Sequence, residues 1–291
     1  IKDIITINSS NMEQKVKREV TEKTVLPHIK NIIIVASGKG GVGKSTVASG
    51  MAVNLALEGY AVGLLDADIY GPSVPTLFNI QNQHPEIKEC EGKNKIVPFH
   101  KYGIKVMSIG FFIDPKQAVL WRGPLASNAL KQLINDTEWG PLDYLIIDTP
   151  PGTGDIHITL LQQYMITGAV IVTTPQLLAM CDVKKAIDMY LDEHVGVPIY
   201  GIVENMSWFT PGKHPEEKYY LFGKDGGEKL ASQFNLRLLA QIPVTEDVCN
   251  NCDEGKLDIL FRNTAVKKGF ESLTDGIISF NKELSDKLNM Q

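Results

Sequence analysis

The stretch "IVASGKGGVGKSTVASG", residues 34–50, places a glycine-rich loop between an apolar segment and a helical pattern. Gly38, Gly43, Lys44 and Ser45 fit the phosphate-loop spacing, in which glycines let backbone amides turn toward phosphate groups. The amides that open the following helix add a positive field at the same place. We therefore predict a nucleotide site here, with Lys44 reaching the β and γ phosphates and the Ser45 hydroxyl contacting Mg²⁺.

Short apolar runs alternate with helical patterns along the rest of the chain. Strands are predicted at 31–36, 61–66, 104–109, 142–148, 168–174, 199–204 and 238–242. Helices are predicted at 44–58, 123–136, 178–192, 226–234 and 264–286. This alternation indicates βαβ units, and so a three-layer α/β fold of the P-loop NTPase type, with a mostly parallel sheet and helices on both faces.

Two segments fall outside that alternation. Residues 79–102 are polar and are predicted to form an irregular surface excursion. Residues 1–27 are predicted to be the tail of an N-terminal domain plus a linker, with 3–8 as its last strand; a frayed terminus fits equally well. Residues 28–291 are predicted to form a single P-loop ATPase domain.

The composition of the chain indicates which kinds of partner to expect and in which cellular compartment the protein works. The chain has 291 residues, is 43% hydrophobic and 22% charged, and carries a formal net charge of −5. That charge disfavours a nucleic-acid partner, since duplex binders usually present a basic face. No apolar run approaches the ~18 residues of a membrane span, so no membrane partner is expected. Four cysteines do not make a disulfide scaffold at this size, which indicates a cytoplasmic protein.

Acidic residues follow two predicted strands, in "LLDADIYGPS" at 64–73 and "YLIIDTPPG" at 144–152. Asp148 ends an apolar run, as expected of a carboxylate that supports Mg²⁺ beside a phosphate loop. Asp66 and Asp68 stand two apart, so strand alternation predicts that they point to the same side. One of them is expected to polarise the attacking water or to hold Mg²⁺ through water. A solvated turn is the alternative for such a pair.

Several long motifs together resemble a known family. They are "GKGGVGKST" with its second lysine, "DADIYGPSVPTL", "WRGPLASNAL", "DYLIIDTPPGTGDIHITL" and "IVENMSWF". They resemble the Mrp/ApbC iron–sulfur carriers, within the deviant Walker A ATPases that include MinD, ParA and the nitrogenase iron protein. The resemblance runs from about residue 28 to about 270. It implies a homodimeric, slow, Mg²⁺-dependent ATPase that carries or helps assemble iron–sulfur clusters, with iron–sulfur apoproteins or assembly factors as partners.

The resemblance also implies roles for single residues. Lys39 would cross to the partner's nucleotide and neutralise charge that develops on the γ phosphate, as an arginine finger does. Asp68 would orient the attacking water, and Asp148 would support Mg²⁺. Asn205 would hydrogen-bond the adenine, which Pro243 would border. The expected nucleotide contacts are Gly38, Lys39, Gly40, Gly41, Val42, Gly43, Lys44, Ser45, Thr46, Asn205 and Pro243.

Residues 152–155 would form the second switch, which moves when the γ phosphate is present. Arg122 in "WRGP" belongs to the family pattern without a role that we can assign. His157 follows the second switch, and a lone histidine there is predicted to be structural.

The cysteines depart from the family pattern. Cluster-carrying members usually have Cys-x-x-Cys shortly after "ENMS", but residues 204–227 contain no cysteine. Cys249 and Cys252 in "EDVCNNCDEGK" form a different pair, and two copies would supply four thiolates to one [4Fe–4S] cluster that bridges two subunits. A redox pair and two cysteines without a special role remain the alternatives.

Two other functions stay open at this point. One is a nucleotide-switched dimer scaffold that carries no cluster. The other is a positioning ATPase like MinD or ParA, which requires a basic amphipathic tail or a basic DNA face. The acids throughout 264–291 and the overall negative charge disfavour it. Aromatic residues in the segment that replaces the cysteines suggest either a protein contact or simple loop packing; they are Trp208, Phe209, Tyr219, Tyr220 and Phe222.

Overall fold

The computed structural model describes residues 23–90, 92–113, 123–211, 214 and 216–289. The strand predicted at 3–8 and Arg122 lie outside the described residues. Among those described, no helix is both long enough and apolar enough to cross a membrane.

An eight-stranded sheet forms the centre of the molecule. Its strands and a separate hairpin are β1 (Ile29–Ser37), β2 (Val62–Asp66), β3 (Ile87–Cys90), β4 (Lys93–Ile96), β5 (Phe99–Lys101), β6 (Ile104–Ser108), β7 (Leu142–Asp148), β8 (Gly168–Thr173), β9 (Ile199–Phe209) and β10 (Leu238–Val244). The order across the sheet is β10-β9-β8-β1-β7-β2-β6-β5, while β3 and β4 form the hairpin. All pairings in the sheet are parallel except that of β5 with β6.

Helices cover both faces of this sheet and complete a three-layer α/β fold. They are α1 (Lys44–Leu57), α2 (Val74–Leu77), α3 (Gly123–Asp136), α4 (Asp155–Gln163), α5 (Leu177–Leu191), α6 (Gly226–Phe234), α7 (Glu246–Asp253) and α8 (Thr264–Asn289). The central strands are buried on both faces, which explains why they appear in the sequence as continuous apolar runs. The predicted fold class is confirmed.

The register of the central strands brings their carboxyl ends together. Val35 of β1 pairs with Asp148 of β7, and Asp66 of β2 pairs with the same Asp148. Ser108 of β6 in turn pairs with Asp66. Because parallel strands end at one edge of the sheet, the acidic residues of two strands meet beside the loop that follows β1.

Each strand and helix predicted within the described residues is present, but some elements were missed. Helices α2, α4 and α7 were not predicted, and β9 runs five residues past its predicted end. The prediction of irregular structure at 79–102 was wrong, because this segment contains the hairpin β3–β4 and the edge strand β5. Residues of the hairpin are mostly exposed, so the apolar alternation that marks a half-buried strand is absent from them.

The described residues before position 28 contact the ATPase domain. The Thr24 amide donates to the Gln163 carbonyl at 2.7 Å, and the Met165 amide donates to the Thr24 carbonyl at 3.1 Å. This short parallel bridge ties the start of the described chain to the end of α4.

His157 of α4 is buried between two hydrogen-bond partners. Its Nε2 lies 2.9 Å from the Pro150 carbonyl and its Nδ1 lies 3.0 Å from the Tyr190 hydroxyl. A carbonyl only accepts, so Nε2 carries the proton and Nδ1 accepts from Tyr190. Burial lowers the pKa of His157 to about 4. The side chain is therefore a neutral link between the loop after β7 and α5, which agrees with the structural role predicted for it.

This burial predicts a loss of stability in acid. Between the unfolded pKa of 6.5 and the folded pKa of about 4, the unfolded chain binds a proton that the folded protein excludes. Stability is therefore present above the upper value and is lost as the pH falls through this window. We expect the free energy of unfolding to drop by about 2 kcal/mol more in wild type than in His157→Gln between about pH 7.5 and about pH 5. Urea unfolding of both proteins measures it, and equal drops would contradict the assignment.

Candidate functional site

The phosphate loop lies between the end of β1 and the start of α1. Gly41 and Gly43 have φ angles of 79° and 80°, a left-handed conformation that glycine adopts without strain. The Ser37 hydroxyl donates to the Lys39 carbonyl at 3.0 Å and fixes the start of the loop. The chain thus turns sharply into α1 and presents the first amides of that helix, as the sequence predicts.

Two neighbouring segments hold this loop closely. A Cβ atom added at Gly38 would lie 2.3 Å from the backbone carbon of Asp182 in α5. One added at Gly43 would lie 2.2 Å from Nδ2 of Asn205, which lies within β9 and not after it as predicted. Asn205 also donates from Nδ2 to the Val42 carbonyl at 2.9 Å. These glycines therefore permit close approach as well as a turn, and the contact with α5 is one that the sequence did not indicate.

Lys44 forms a buried ion pair at the start of α1. It is only 6% exposed, and its Nζ lies 2.5 Å from Oδ1 of Asp148 and 3.9 Å from Oδ2 of Asp68. Burial raises the pKa of Asp148, while the Lys44 ammonium acts in the opposite direction. The structure thus brings together Lys44, Asp68 and Asp148, which the sequence placed on three separate segments.

Asp148 keeps one oxygen without a protein partner. Its Oδ2 is buried and accepts no hydrogen bond from the residues that the structure describes. Ser45, the next residue of α1, acts on the same carboxylate and opposes the rise of its pKa. Hard oxygen ligands of this kind suit Mg²⁺, which binds proteins through a few such groups and keeps several waters. Ser45 and Asp148 therefore fit the predicted metal position.

Asp66 and Asp68 have different surroundings, and the strand alternation from which a shared side was predicted does not apply to them. Strand β2 ends at Asp66, so strand alternation does not extend to Asp68. The Asp66 carboxylate accepts from the Asp68 amide at 3.1 Å, the Val74 amide at 3.2 Å and the Ser108 hydroxyl at 3.0 Å. Burial and the neighbouring Asp148 charge raise the pKa of Asp66 to about 8. Asp66 thus braces the loop after β2 and is surrounded by protein.

Asp68 instead faces the phosphate loop. One of its oxygens accepts from the Tyr70 and Gly71 amides at 3.1 and 3.2 Å, and the other points toward Lys44. It lines a cavity of about 260 Å³ together with Ser37, Lys39, Gly40, Gly41, Gly43, Lys44, Ser45, Thr46, Gly71, Ser73 and Pro151. Of the two acidic residues, Asp68 is therefore the one placed to contact a water at the phosphates.

A second cavity of about 290 Å³ adjoins the first at Gly43 and Thr46. Its lining is mostly apolar and includes Val47, Asn205, Met206, Ile242, Pro243, Val244, Val248, Cys249, Cys252, Asp253, Val266 and Phe270. A polar loop cavity that continues into an apolar one matches the two halves of a nucleotide, phosphates and base. Asn205 and Pro243, which the resemblance assigns to the adenine, both line this second cavity, hereafter the base pocket.

Strand β9 contains two residues that sequence reasoning missed. Met206 has a φ of 55°, which is uncommon for a residue with a side chain, and it lines the base pocket. Glu204 is buried and accepts from the Gly227 amide at 2.5 Å and from Nε2 of Gln241 at 2.9 Å. Its position inside the apolar run "YGIVENM" was the available signal, because a buried charge needs partners.

The segment 152–155 leads from β7 into α4 beside the phosphate loop. The Gly152 amide donates to the Ser37 carbonyl at 2.8 Å, and the Thr149 hydroxyl donates to the Val35 carbonyl at 2.9 Å. Pro151 lines the phosphate cavity. The predicted second switch is thus anchored to β1 at its start and exposed beyond it.

The cysteine pair lies on α7, whose first turn is capped by the Thr245 hydroxyl accepting from the Val248 amide. Cys249 is exposed, Cys252 is 9% exposed, and both line the base pocket. Burial raises the pKa of Cys252 to about 11. The pair thus stands beside the expected position of the adenine, a location that its spacing did not predict.

The aromatic segment forms a short antiparallel bridge. Phe209 and Tyr219 exchange backbone hydrogen bonds of 2.8 and 2.9 Å, and the Lys218 ammonium lies 4.0 Å from the centre of the Trp208 ring. Tyr219 and Tyr220 remain exposed. Loop packing accounts for the bridge, and a protein contact through the exposed tyrosines stays a prediction.

Comparison with known proteins agrees with this geometry. The family model described as ParA, NUBPL iron-transfer P-loop NTPase, matches residues 28–278. The chain belongs to this family. A protein from Aquifex aeolicus named "Iron-sulfur cluster carrier protein" is 46% identical over 255 residues, covering 87% of this chain and 68% of its own length. One of the same name from Synechocystis is 45% identical over 250 residues, covering 84% and 70% respectively.

Solved structures show the same fold. A nucleotide-binding protein from Archaeoglobus fulgidus, in complex with ADP, is 39% identical with a TM-score of 0.68 and covers 80% of this chain and 89% of its own. The cell division ATPase MinD from Pyrococcus furiosus has a TM-score of 0.61 at 20% identity, covering 86% and 99%, which supports the fold alone. The family and the ADP-bound relative indicate that this chain is a nucleotide-binding P-loop NTPase.

The close approach at Gly38 gives a testable expectation. Gly38→Ala forces its methyl group against the α5 backbone, and we expect it to lower the free energy of unfolding by about 1–3 kcal/mol without nucleotide. Gly40→Ala is the matched control, because the nearest atom to its added carbon is 3.8 Å away on Pro151. Urea unfolding compares the two. Equal free energies of unfolding for the two variants would show that Gly38 does not pack closely against the α5 backbone.

Proposed function

We propose that this chain is a slow, Mg²⁺-dependent, homodimeric ATPase that carries iron–sulfur clusters or assists their assembly. One observation carries the ATPase part: the buried Lys44–Asp148 pair stands at a phosphate cavity that opens into an apolar base pocket. Family membership supports the same conclusion, and the named relatives support the cargo.

Different residues of the site have different roles in the proposed hydrolysis of ATP. Loop amides and the Lys44 ammonium bind the phosphates and offset charge on the leaving oxygen. Ser45 and Asp148 would hold Mg²⁺, which would supply positive charge beside the phosphates during transfer. Asp68 accepts a hydrogen bond from the attacking water and orients it toward the γ phosphorus.

Exposed apolar side chains beside the site support a dimer. Leu177 and Leu178, which open α5, are 72% and 71% exposed, and Tyr70 near Asp68 is also exposed. Exposed apolar residues grouped near a site mark an interface. Lys39 is exposed on the same side, and its side chain has no ion pair or hydrogen bond within the described part of the chain. A second copy that covers this face would bring its Lys39 to the γ phosphate.

The cargo requires soft ligands, and the chain offers one closely spaced pair. Cys249 and Cys252 are three residues apart on α7, so they lie on one face, and two copies would provide four thiolates. Burial holds Cys252 as a neutral thiol at physiological pH, so cluster binding there must displace a proton. The nucleotide-switched scaffold without a cluster is the competing function.

The cross-dimer role of Lys39 predicts a separation of binding from turnover. Lys39→Ala should keep ATP affinity within a few-fold of wild type and reduce turnover by about 10³-fold, the effect of losing an arginine finger. Lys44→Ala should lose both, because its ammonium contacts the phosphates directly. Isothermal titration and phosphate release measure the two quantities. Lys229→Ala, an exposed lysine on α6, is the matched control. Normal turnover by Lys39→Ala would contradict the role.

The carrier function is tested by anaerobic reconstitution with iron and sulfide. Wild type and the control Cys90→Ala/Cys181→Ala should each hold about four irons and four sulfides per dimer. Cys249→Ala/Cys252→Ala should hold none. Iron analysis, sulfide analysis and the visible spectrum report the result. A wild type without a cluster would contradict the carrier function and favour the scaffold. A cluster retained by the Cys249→Ala/Cys252→Ala variant would contradict the ligand assignment alone.

A further inference from the structure

The cysteine pair and the base pocket occupy the same place in the fold. Cys249 and Cys252 are three residues apart on α7, so one helix face carries both sulfurs. Both cysteines line the base pocket, as do Asn205 and Pro243. A cysteine that reacts there changes the shape and polarity of the cavity where a base would bind.

The two thiols differ in access to solvent. Cys249 is exposed, so a reagent in solution reaches its sulfur directly. Cys252 is nine-tenths buried and lines the base pocket together with Thr46 of α1. Because a reagent must reach a sulfur in order to react with it, Cys249 is the reactive member of the pair and Cys252 is the protected one.

We propose that Cys249 is a thiol-modification site whose occupation closes the base pocket, so that modification and nucleotide binding exclude each other. The inference rests on the nucleotide site proposed above and adds a means of regulating it. The pocket measures about 290 Å³ and is lined by packed side chains, including Phe270 and Val266. A group attached to Cys249 that enters this pocket occupies the volume that the base would fill, so the base is excluded.

The reagent class is a low-molecular-weight disulfide. The Cys249 thiolate attacks one sulfur of the disulfide, a new S–S bond forms, and the original S–S bond breaks. The second half leaves as a thiolate and takes up a proton from water. A small thiol reverses the exchange by the same steps. The protein sulfur is oxidised and the departing sulfur is reduced, so no further oxidant is required.

The first arm of the test measures protection. The full chain is treated with iodoacetamide, with and without saturating ADP and Mg²⁺, and peptide mass spectrometry follows each cysteine. We expect ADP to slow alkylation of Cys249 at least tenfold. Cys181 is exposed on α5 and does not line the base pocket, so its alkylation rate should stay unchanged and serves as the internal control.

The second arm measures the reverse effect. Treatment with oxidised glutathione should weaken ADP binding at least tenfold in isothermal titration, and a reducing agent should restore it. Cys249→Ser should be insensitive to this treatment, whereas Cys181→Ser should respond as wild type does. Equal alkylation of Cys249 with ADP bound, or unchanged ADP affinity after glutathionylation, would overturn the proposal. Failure of the unmodified protein to bind ADP would instead overturn the nucleotide site, and this proposal with it.

Discussion

The buried pair between Lys44 and Asp148 is the interaction on which the site depends. It joins the first residue of α1 to the last residue of β7 across a separation of 104 positions in the chain. Burial of one charge without the other would cost several kcal/mol, so the two side chains hold each other in place. The start of α1 and the end of β7 are thereby held together beside the phosphate loop.

The same pair sets the electrostatics of the site. One buried lysine faces the carboxylates of Asp148 and Asp68, with Asp66 just behind them. A triphosphate adds more negative charge to this place, and a single ammonium cannot offset all of it. The proposed function therefore includes two further cations, Mg²⁺ and the Lys39 of a second copy. The base pocket, by contrast, is mostly apolar, so the proposed modification of Cys249 would act by occupying space and would leave this charge balance unchanged.

The sequence predicted the central elements because burial on both faces leaves a clear pattern. The predicted bounds of the strand at 142–148 and of the helix at 226–234 match the structure at both ends, because the apolar residues of each follow a clear pattern. The hairpin β3–β4 lacks this signal because most of its residues face solvent. Likewise, the phosphate loop has its own motif, so its residues were predicted together with their roles.

Contacts between segments that are distant in the chain leave no comparable pattern in the sequence. The approach of Asp182 to Gly38, the bond from Asn205 to Val42 and the difference between Asp66 and Asp68 depend on how strands end and helices pack. The position of the cysteines beside the base pocket depends on where α7 packs, which their spacing does not encode.

The most direct test of the account is ATP affinity measured with Mg²⁺ and with excess EDTA, in wild type and in Asp148→Asn. If Asp148 exchanges its contact with Lys44 for one with Mg²⁺, wild type gains affinity from the metal at least tenfold. The variant should lose that gain. A full Mg²⁺-dependent gain in Asp148→Asn would contradict the central role of this pair.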